Sequence, residues 1–308
     1  MKSAKRRIGI DLGGTKIALA IFESDLNGAD GTVRSRKVYE QRVPTPSGDY
    51  QATIAAICSL VKQAEDEQGE CDSIGIGTPG SCSPSTGLMR NCNSTCLNNM
   101  PFQDDLSAAL DRPIRMANDA DCFALSEAID GAAVGKSTVF GVILGTGTGG
   151  GIVVNGKLLD GPNRIAGEWG HNPCLHPLAE PLACYCGRKQ CIETQLSGPS
   201  FERRYRQRSG APLSAKQISV LCEQGEEHAL AVFDEYTDML AWSLAQVVNV
   251  LDPDAIVLGG GLSSIQALYP ALQKKMPAYV FSDCFNTPIL PPVYGDASGV
   301  RGAAWLWP

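Results

Sequence analysis

The 308-residue sequence predicts an α/β protein made of two related halves around a cleft, and three observations carry the prediction. A strand, a glycine turn and a second strand occur twice, at residues 8–22 and again at 138–155. Each pair is followed by alternating helical and extended patterns. No low-complexity linker separates the two copies.

In chain order, the apolar runs 8–10 and 17–22 flank Gly13-Gly14-Thr15, the pattern of two strands joined by a glycine hairpin. Residues 24–36 are polar and turn-rich and read as an extended loop before a third strand. Ile54, Ile57, Leu60, Val61 and Ala64 follow helical spacing between Tyr50 and Glu67. Ser73–Gly77 reads as a strand ending in Thr78-Pro79-Gly80, and 114–117 as a strand running into Asn118-Asp119 and a helix over 120–129. The second half has a strand over 138–144, a glycine turn over 145–151 and a strand over 152–155. A long helix marked by Leu230 to Leu251 stops at Asp252-Pro253, followed by a strand over 255–258, Gly259-Gly260-Gly261 and another helix.

Composition excludes several function classes. Lys plus Arg is 26 and Asp plus Glu is 33, a net charge of −7 that offers no basic footprint for nucleic acid. The longest charge-free run, 137–156, holds seven glycines and is too turn-rich for a membrane helix. The basic start at residues 1–7 leads into a strand rather than the apolar stretch of an export signal, so a cytoplasmic location is expected. Twelve cysteines in a chain of this kind argue for metal binding or buried thiols over a disulfide scaffold. Gly131 to Ser137 imitates a P-loop but has three residues between its glycines where the motif needs four, and it leads from a helix into a strand. No G-x-G-x-x-G occurs in a strand–turn–helix setting, which disfavours nicotinamide dinucleotides.

The glycine turns point to phosphate. Without Cβ atoms, the N–H groups at Gly13, Gly14 and Thr15 can approach an anion closely, with Lys16 adding charge. Asp11 would repel phosphate unless Mg²⁺ bridged them. Gly145, Thr146, Gly147 and Gly149 form a second candidate cradle, and Gly259, Gly260 and Gly261 a third before a helix N-terminus. Any one turn alone is more simply a hairpin; three with an adjacent acid indicate a nucleotide. Cys184, Cys186 and Cys191 with His171 give a Cys₃His set typical of structural zinc. Cys174 is a rival fifth candidate for four places, and buried reduced thiols are the plain alternative. Asn118-Asp119 is by itself an ordinary helix cap, and Glu168 and Glu193 by themselves solvated charges. Bracketing a metal knot, however, the two glutamates are suited to accept the hydroxyls of a hydroxyl-rich ligand.

At these residues the sequence resembles the ROK family of sugar kinases and sugar-responsive repressors. The resemblance is carried by Ile10 to Lys16, Asn118-Asp119-Ala120, Gly145-Thr146-Gly147, Gly167 to His171, Cys184 through Glu193, and Leu258 to Gly261, and it runs from about residue 7 to Pro308. Within the family, the ending Ser298–Trp307, the segment at Asn93 and 247–253 look most like bacterial fructokinases (manno(fructo)kinases).

The resemblance implies the actin-like, hexokinase-type, ribonuclease H-like fold: two α/β domains around a cleft, with a zinc-binding loop at 171–193. The expected division is 1–118 plus about 293–308, the C-terminal helix packing on the first domain, and 119–292. It implies ATP-dependent phosphorylation of a hexose at O6, with fructose or mannose expected and N-acetylglucosamine or glucose as alternatives. Asp119 matches the catalytic base; Gly80, Asn93, Asn118, Asp119, Glu168, His171 and Glu193 the sugar ligands; His171, Cys184, Cys186 and Cys191 the zinc ligands. His171 is expected to turn one ring nitrogen to the metal and the other to the sugar. Family members are often dimers, so a homodimer is an expectation. A repressor would need a DNA-binding domain ahead of Asp11, where ten residues stand. One departure concerns the cysteine loop, where Gln190 replaces the family's last glycine; another is a 24–36 loop longer than expected.

Overall fold

The structure is a computed structural model and describes residues 5–25 and 34–307. By contacts the chain forms two compact units, one of Met1–Gly135, Gly151–Ala166 and Asp296–Pro308, the other of Lys136–Gly150 and Gly167–Gly295. The contacts therefore divide the chain at 135/136, whereas the sequence places the boundary at 118/119.

In the first unit the chain runs β1 (Lys5–Leu12), β2 (Lys16–Asp25), β3 (Arg34–Pro44), α1 (Tyr50–Gln68), β4 (Ser73–Thr78), a small hairpin of β5 (Ser81–Cys82) and β6 (Met89–Arg90), α2 (Phe102–Ala109), β7 (Arg115–Asn118) and α3 (Asp119–Ile129). The sheet order is β3-β2-β1-β4-β7. The glycine hairpin between β1 and β2 is present, with Ile8 opposite Ile21 and Leu12 opposite Ile17. The polar stretch expected as loop over 24–36 is shorter than that: β2 continues to Asp25 and β3 begins at Arg34, because cross-strand pairing of Ser24 with Ser35 extends the ladder beyond the apolar residues. Residues 26–33 lie outside the described residues. Asp49 caps α1 by accepting the Ala52 N–H at 2.9 Å, and Gly69, at φ +85°, ends the helix. The predicted face Ile54, Ile57, Leu60, Val61 and Ala64 is buried against Ile8, Ile10, Leu19, Ile74 and Ile76. Each of the larger side chains, Ile54, Ile57, Leu60 and Val61, contributes about 1.5–3 kcal/mol on removal from water.

The chain continues through β8 (Thr138–Leu144), β9 (Thr148–Val154), β10 (Lys157–Leu158), α4 (Ile192–Leu196), α5 (Gly198–Ser209), α6 (Ala215–Glu223), α7 (Glu227–Leu251), β11 (Ala255–Gly259), α8 (Leu268–Lys275) and β12 (Ile289–Leu290). Strands join in the order β10-β9-β8-β11-β12. α7 ends as predicted, with Asp252 in the left-handed region at φ +45° before Pro253. Two glycine segments differ from expectation. The turn at 145–151 closes at Gly147, and 149–151 lie in β9, where a Cβ on Gly150 would come within 2.9 Å of Phe140 and Trp169. Gly259 ends β11, and a short 3₁₀ turn over Gly261–Ser264 follows, so the third turn does not adjoin the N-terminus of α8. Gly260, at φ +79°, is required by approach: its Cβ would lie 2.5 Å from the Leu144 carbonyl oxygen. Among the described residues no helix is long and apolar enough to cross a membrane.

The last helix, α9 (Ser298–Ala304), belongs to the first unit. Gly9 and Gly75 are register partners on β1 and β4, and a Cβ at either would fall within 2 Å of a carbonyl oxygen of α9, that of Val300 or Ala303. On the other side, Gly302 lies against the Cys122 carbonyl of α3. Buried Ser298 donates to Glu127 at 2.8 Å, and Arg301 grips Asp130 with Nε at 2.9 Å.

Candidate active site and metal centre

In the first unit, β1, β4 and β7 run parallel, and their carboxyl ends hold the candidate residues. Asp11 is paired with Gly77, and Thr78 with Asn118, with Asp119 opening α3. Ligands of open α/β sheets gather at such strand ends. Asn118 is the α3 N-cap, accepting the Asp121 N–H at 2.6 Å. The cap reading of Asn118 thus holds, and capping fixes Asp119 in the first helical turn. Asp119 accepts the Ala120 N–H at 2.9 Å. Its carboxylate opens to solvent on one side and is crowded by protein elsewhere; that desolvation raises its pKa against the pull of Ala120 N–H. Burial and the charge of Asp119 push Asp11 up to about 6, while Lys16 and Arg42 oppose the shift. Two carboxylates each made more basic by their setting fit a divalent cation, so Asp11 suits the implied Mg²⁺.

The hairpin beside Asp11 is braced, not floppy. Gly13 N–H donates to the Lys16 carbonyl at 3.0 Å, and Thr45 donates from its N–H to Thr15 and from its hydroxyl to Gly13. Gly14, Thr15 and Lys16 are exposed, and the space a Cβ on Gly14 would fill is empty. That open backbone is what a phosphate cradle needs. Gly80 stands at φ +86° with its Cβ position 2.4 Å from the Arg90 carbonyl oxygen, so the β5–β6 hairpin itself demands glycine there. Asn93 is exposed. The neighbouring Asn98, which the sequence reading passed over, organises this turn by bonding both the N–H and the carbonyl of Cys92.

The second unit brings together the other candidates. Trp169 anchors the Gly167–His171 motif, donating its indole N–H to the Gly149 carbonyl at 2.8 Å with its ring edge-on to Phe140. Gly170 passes so close to β9 that a Cβ would lie 2.0 Å from the Thr148 carbonyl oxygen. The motif thereby sets out exposed Glu168 and half-buried His171. Glu193, in the first turn of α4, accepts the Thr148 N–H at 3.0 Å, and its Oε2 occupies the space of a Cβ on Gly147. A sugar-ligand candidate thus touches the second glycine turn. That turn is closed by Gly145 N–H to Gly147 and by Gly198 N–H to Gly145 at 2.7 Å.

The ligand atoms of His171, Cys184, Cys186 and Cys191 lie within 4.8 Å of one another. Cys184 Sγ is 3.6 Å from His171 Nδ1, and Cys186 Sγ is 3.7 Å from Cys191 Sγ. A zinc tetrahedron with ordinary bond lengths has sulfur–nitrogen and sulfur–sulfur edges of about 3.5 and 3.8 Å, so the set fits Zn²⁺. The Arg188 N–H lowers the pKa of the Cys186 thiol, whereas burial raises those of Cys184 and Cys191. Cys174 is excluded from the knot: it is buried with its sulfur 4.0 Å from Ser243 Oγ. Gln190 adopts φ +59°, the left-handed region a glycine would favour, and its side chain donates to the Cys174 carbonyl at 2.9 Å. The substitution keeps the turn and adds a brace.

Known proteins share this architecture. The ROK family matches residues 7–308. An N-acetyl-D-glucosamine kinase of Haemophilus influenzae is 41% identical over 307 residues, covering 97% of this chain and 98% of its own. The ROK hexokinase of Thermus thermophilus superposes with a TM-score of 0.84 at 30% identity, over 98% and 97% of the two chains. A ROK glucokinase of Streptomyces griseus, solved with glucose and AMPPNP, gives 0.75 at 28%, over 97% and 98%. With the family matched from residue 7 to the end, and with sugar kinases as its relatives at this level of likeness, the chain belongs to the ROK family.

Proposed function

We propose that the protein transfers the γ-phosphate of ATP to a hexose, with N-acetyl-D-glucosamine as the preferred acceptor. The observation that carries the choice of sugar is the 41% identity to an N-acetyl-D-glucosamine kinase over nearly the whole of both chains. It favours this acceptor over the fructose expected from the segments at Asn93, 247–253 and 298–307.

In this reading Asp119 accepts the proton of the attacking sugar hydroxyl, for which its raised pKa and open side suit it. Asn118, Glu168, His171 and Glu193 hold the sugar hydroxyls, with Gly80 and Asn93 completing the set. The turns at Gly13–Lys16, Gly145–Gly147 with Gly149 just inside β9, and Gly259–Gly261 bind the nucleotide. Mg²⁺, held by Asp11, would neutralise charge on the phosphates. Zn²⁺ would fix His171 and the chain leading into Glu193.

The test is ATP turnover with N-acetylglucosamine, glucose, mannose and fructose. The expected result is a kcat/KM for N-acetylglucosamine at least about tenfold above the others, a discrimination the binding of one polar substituent can supply. A higher value for fructose or glucose would overturn the choice of acceptor. No turnover with any of the four would overturn the kinase reading.

A further inference from the structure

The two ring nitrogens of His171 face different partners. Nδ1 is at the metal corner, 3.6 Å from Cys184 Sγ. Nε2 lies 3.0 Å from the Tyr185 hydroxyl, and the two rings meet edge to face with centroids 5.2 Å apart. A metal bound through Nδ1 needs that nitrogen without hydrogen. The imidazole hydrogen then resides on Nε2 and donates to Tyr185 Oη. Tyr185 stands between the ligands Cys184 and Cys186 and is 77% exposed, so core packing does not explain its place against His171. Tyr185 also lines a cavity of about 380 Å³ shared with Thr146 and Glu193, on the side where substrate groups are proposed to gather.

We propose that Tyr185 is a positioning residue: it holds Nε2 of His171 in the sugar-free protein, fixes the tautomer that presents Nδ1 to the three thiolates, and yields Nε2 when a sugar hydroxyl arrives. The last step rests on the sugar-kinase reading; the tautomer does not. One hydrogen on Nε2 cannot serve both acceptors fully, so Tyr185 and the sugar compete for it.

The experiment uses full-length Tyr185→Phe, which keeps the ring and removes the hydroxyl. Zinc affinity is measured by competition with a chromophoric chelator, and sugar KM on the zinc-saturated protein. Zinc binding is expected to weaken about tenfold, the low end for losing a hydrogen bond to a metal-bound histidine. KM for N-acetylglucosamine is expected to stay level or fall. A zinc loss of less than threefold overturns the proposal. So does a KM that rises threefold or more, because a residue that merely supported the loop would weaken metal and sugar together. If the wild type phosphorylates no sugar, the kinase reading and the competition step fail, while the chelator arm still decides the tautomer.

Discussion

Two aspartates carry the proposed chemistry of the first unit, and their electrostatics make separate predictions. Asp119 acts in its ionised form in the proposed transfer, so activity should fall as pH drops through its raised pKa, with the acid limb above the ordinary carboxylate range. Asp119→Asn should lose roughly 10²–10⁴ in kcat, the usual contribution of a general base, with sugar KM little changed. Steady-state kinetics from pH 5 to 9 check both; a variant retaining full turnover contradicts the assignment. Asp11 matters for stability as well. Its folded pKa of about 6 exceeds the 3.8 of an ordinary aspartate, so the fold prefers the neutral carboxyl. That preference contributes stability fully below about pH 4 and is lost as pH rises through about 6, up to about 3 kcal/mol for a shift of this size. Asp11→Asn should therefore raise the melting temperature in magnesium-free buffer at pH 8, with a smaller gain at pH 5, while turnover is lost. An equal gain at both pH values would contradict this origin.

At the scale of elements, β9 and its preceding turn show how glycines with one appearance have different duties. A Cβ on Gly147 would meet the mobile end of Glu193, 2.5 Å away, whereas one on Gly150 would meet the rings of Phe140 and Trp169. Gly147→Ala should displace Glu193 from the Thr148 N–H. The displaced carboxylate should appear as a sugar KM raised roughly tenfold or more, with a stability loss no larger than the about 1.5–3 kcal/mol of that one charge-assisted bond. Gly150→Ala should instead overpack the contact of β9 with the tryptophan and cost about 1–3 kcal/mol of stability. Urea unfolding and kinetics on the two variants separate the effects; matched losses in both assays would refute the division. The zinc knot was legible because three of its ligands, Cys184, Cys186 and Cys191, are neighbours in sequence, and only His171 had to be added. The strand–turn–strand pairs were legible from apolar runs broken by glycine. The extent of the second turn was not, because a glycine in a strand under a tryptophan and a glycine in a turn read alike. Asn98 and Tyr185 escaped notice because their partners, Cys92 and His171, are set by turns whose geometry no pattern encodes.

At the scale of the whole molecule, the first unit is assembled from three separate stretches of chain, and its completion depends on the last of them. Gly9, Gly75 and Gly302 carried no readable signal, because what they approach lies far along the chain: α9 for the first two, α3 for the third. The same separation has a consequence for folding. Until α9 is made, β1 and β4 lack the helix that covers their glycines, buried Ala20 and Phe22 lack Val300 and Ala304, and Glu127 lacks Ser298. A carboxylate with no exposed surface, left without one of its partners, carries the cost of an unmet buried polar group. A chain stopped before Ser298 should therefore not hold the first sheet together, and its β1 and β4 amides should exchange orders of magnitude faster than in the full chain, as local opening free energy falls. Gly302→Ala offers a milder version, since its Cβ would lie 1.7 Å from the Cys122 carbonyl oxygen and backbone must shift. It should lower the urea midpoint, with a cost of about 1–3 kcal/mol or more. Hydrogen exchange on the full-length and truncated proteins decides the matter: native protection in β1 and β4 without α9 would mean that the first sheet stands on its own core, and that the C-terminal helix only covers it.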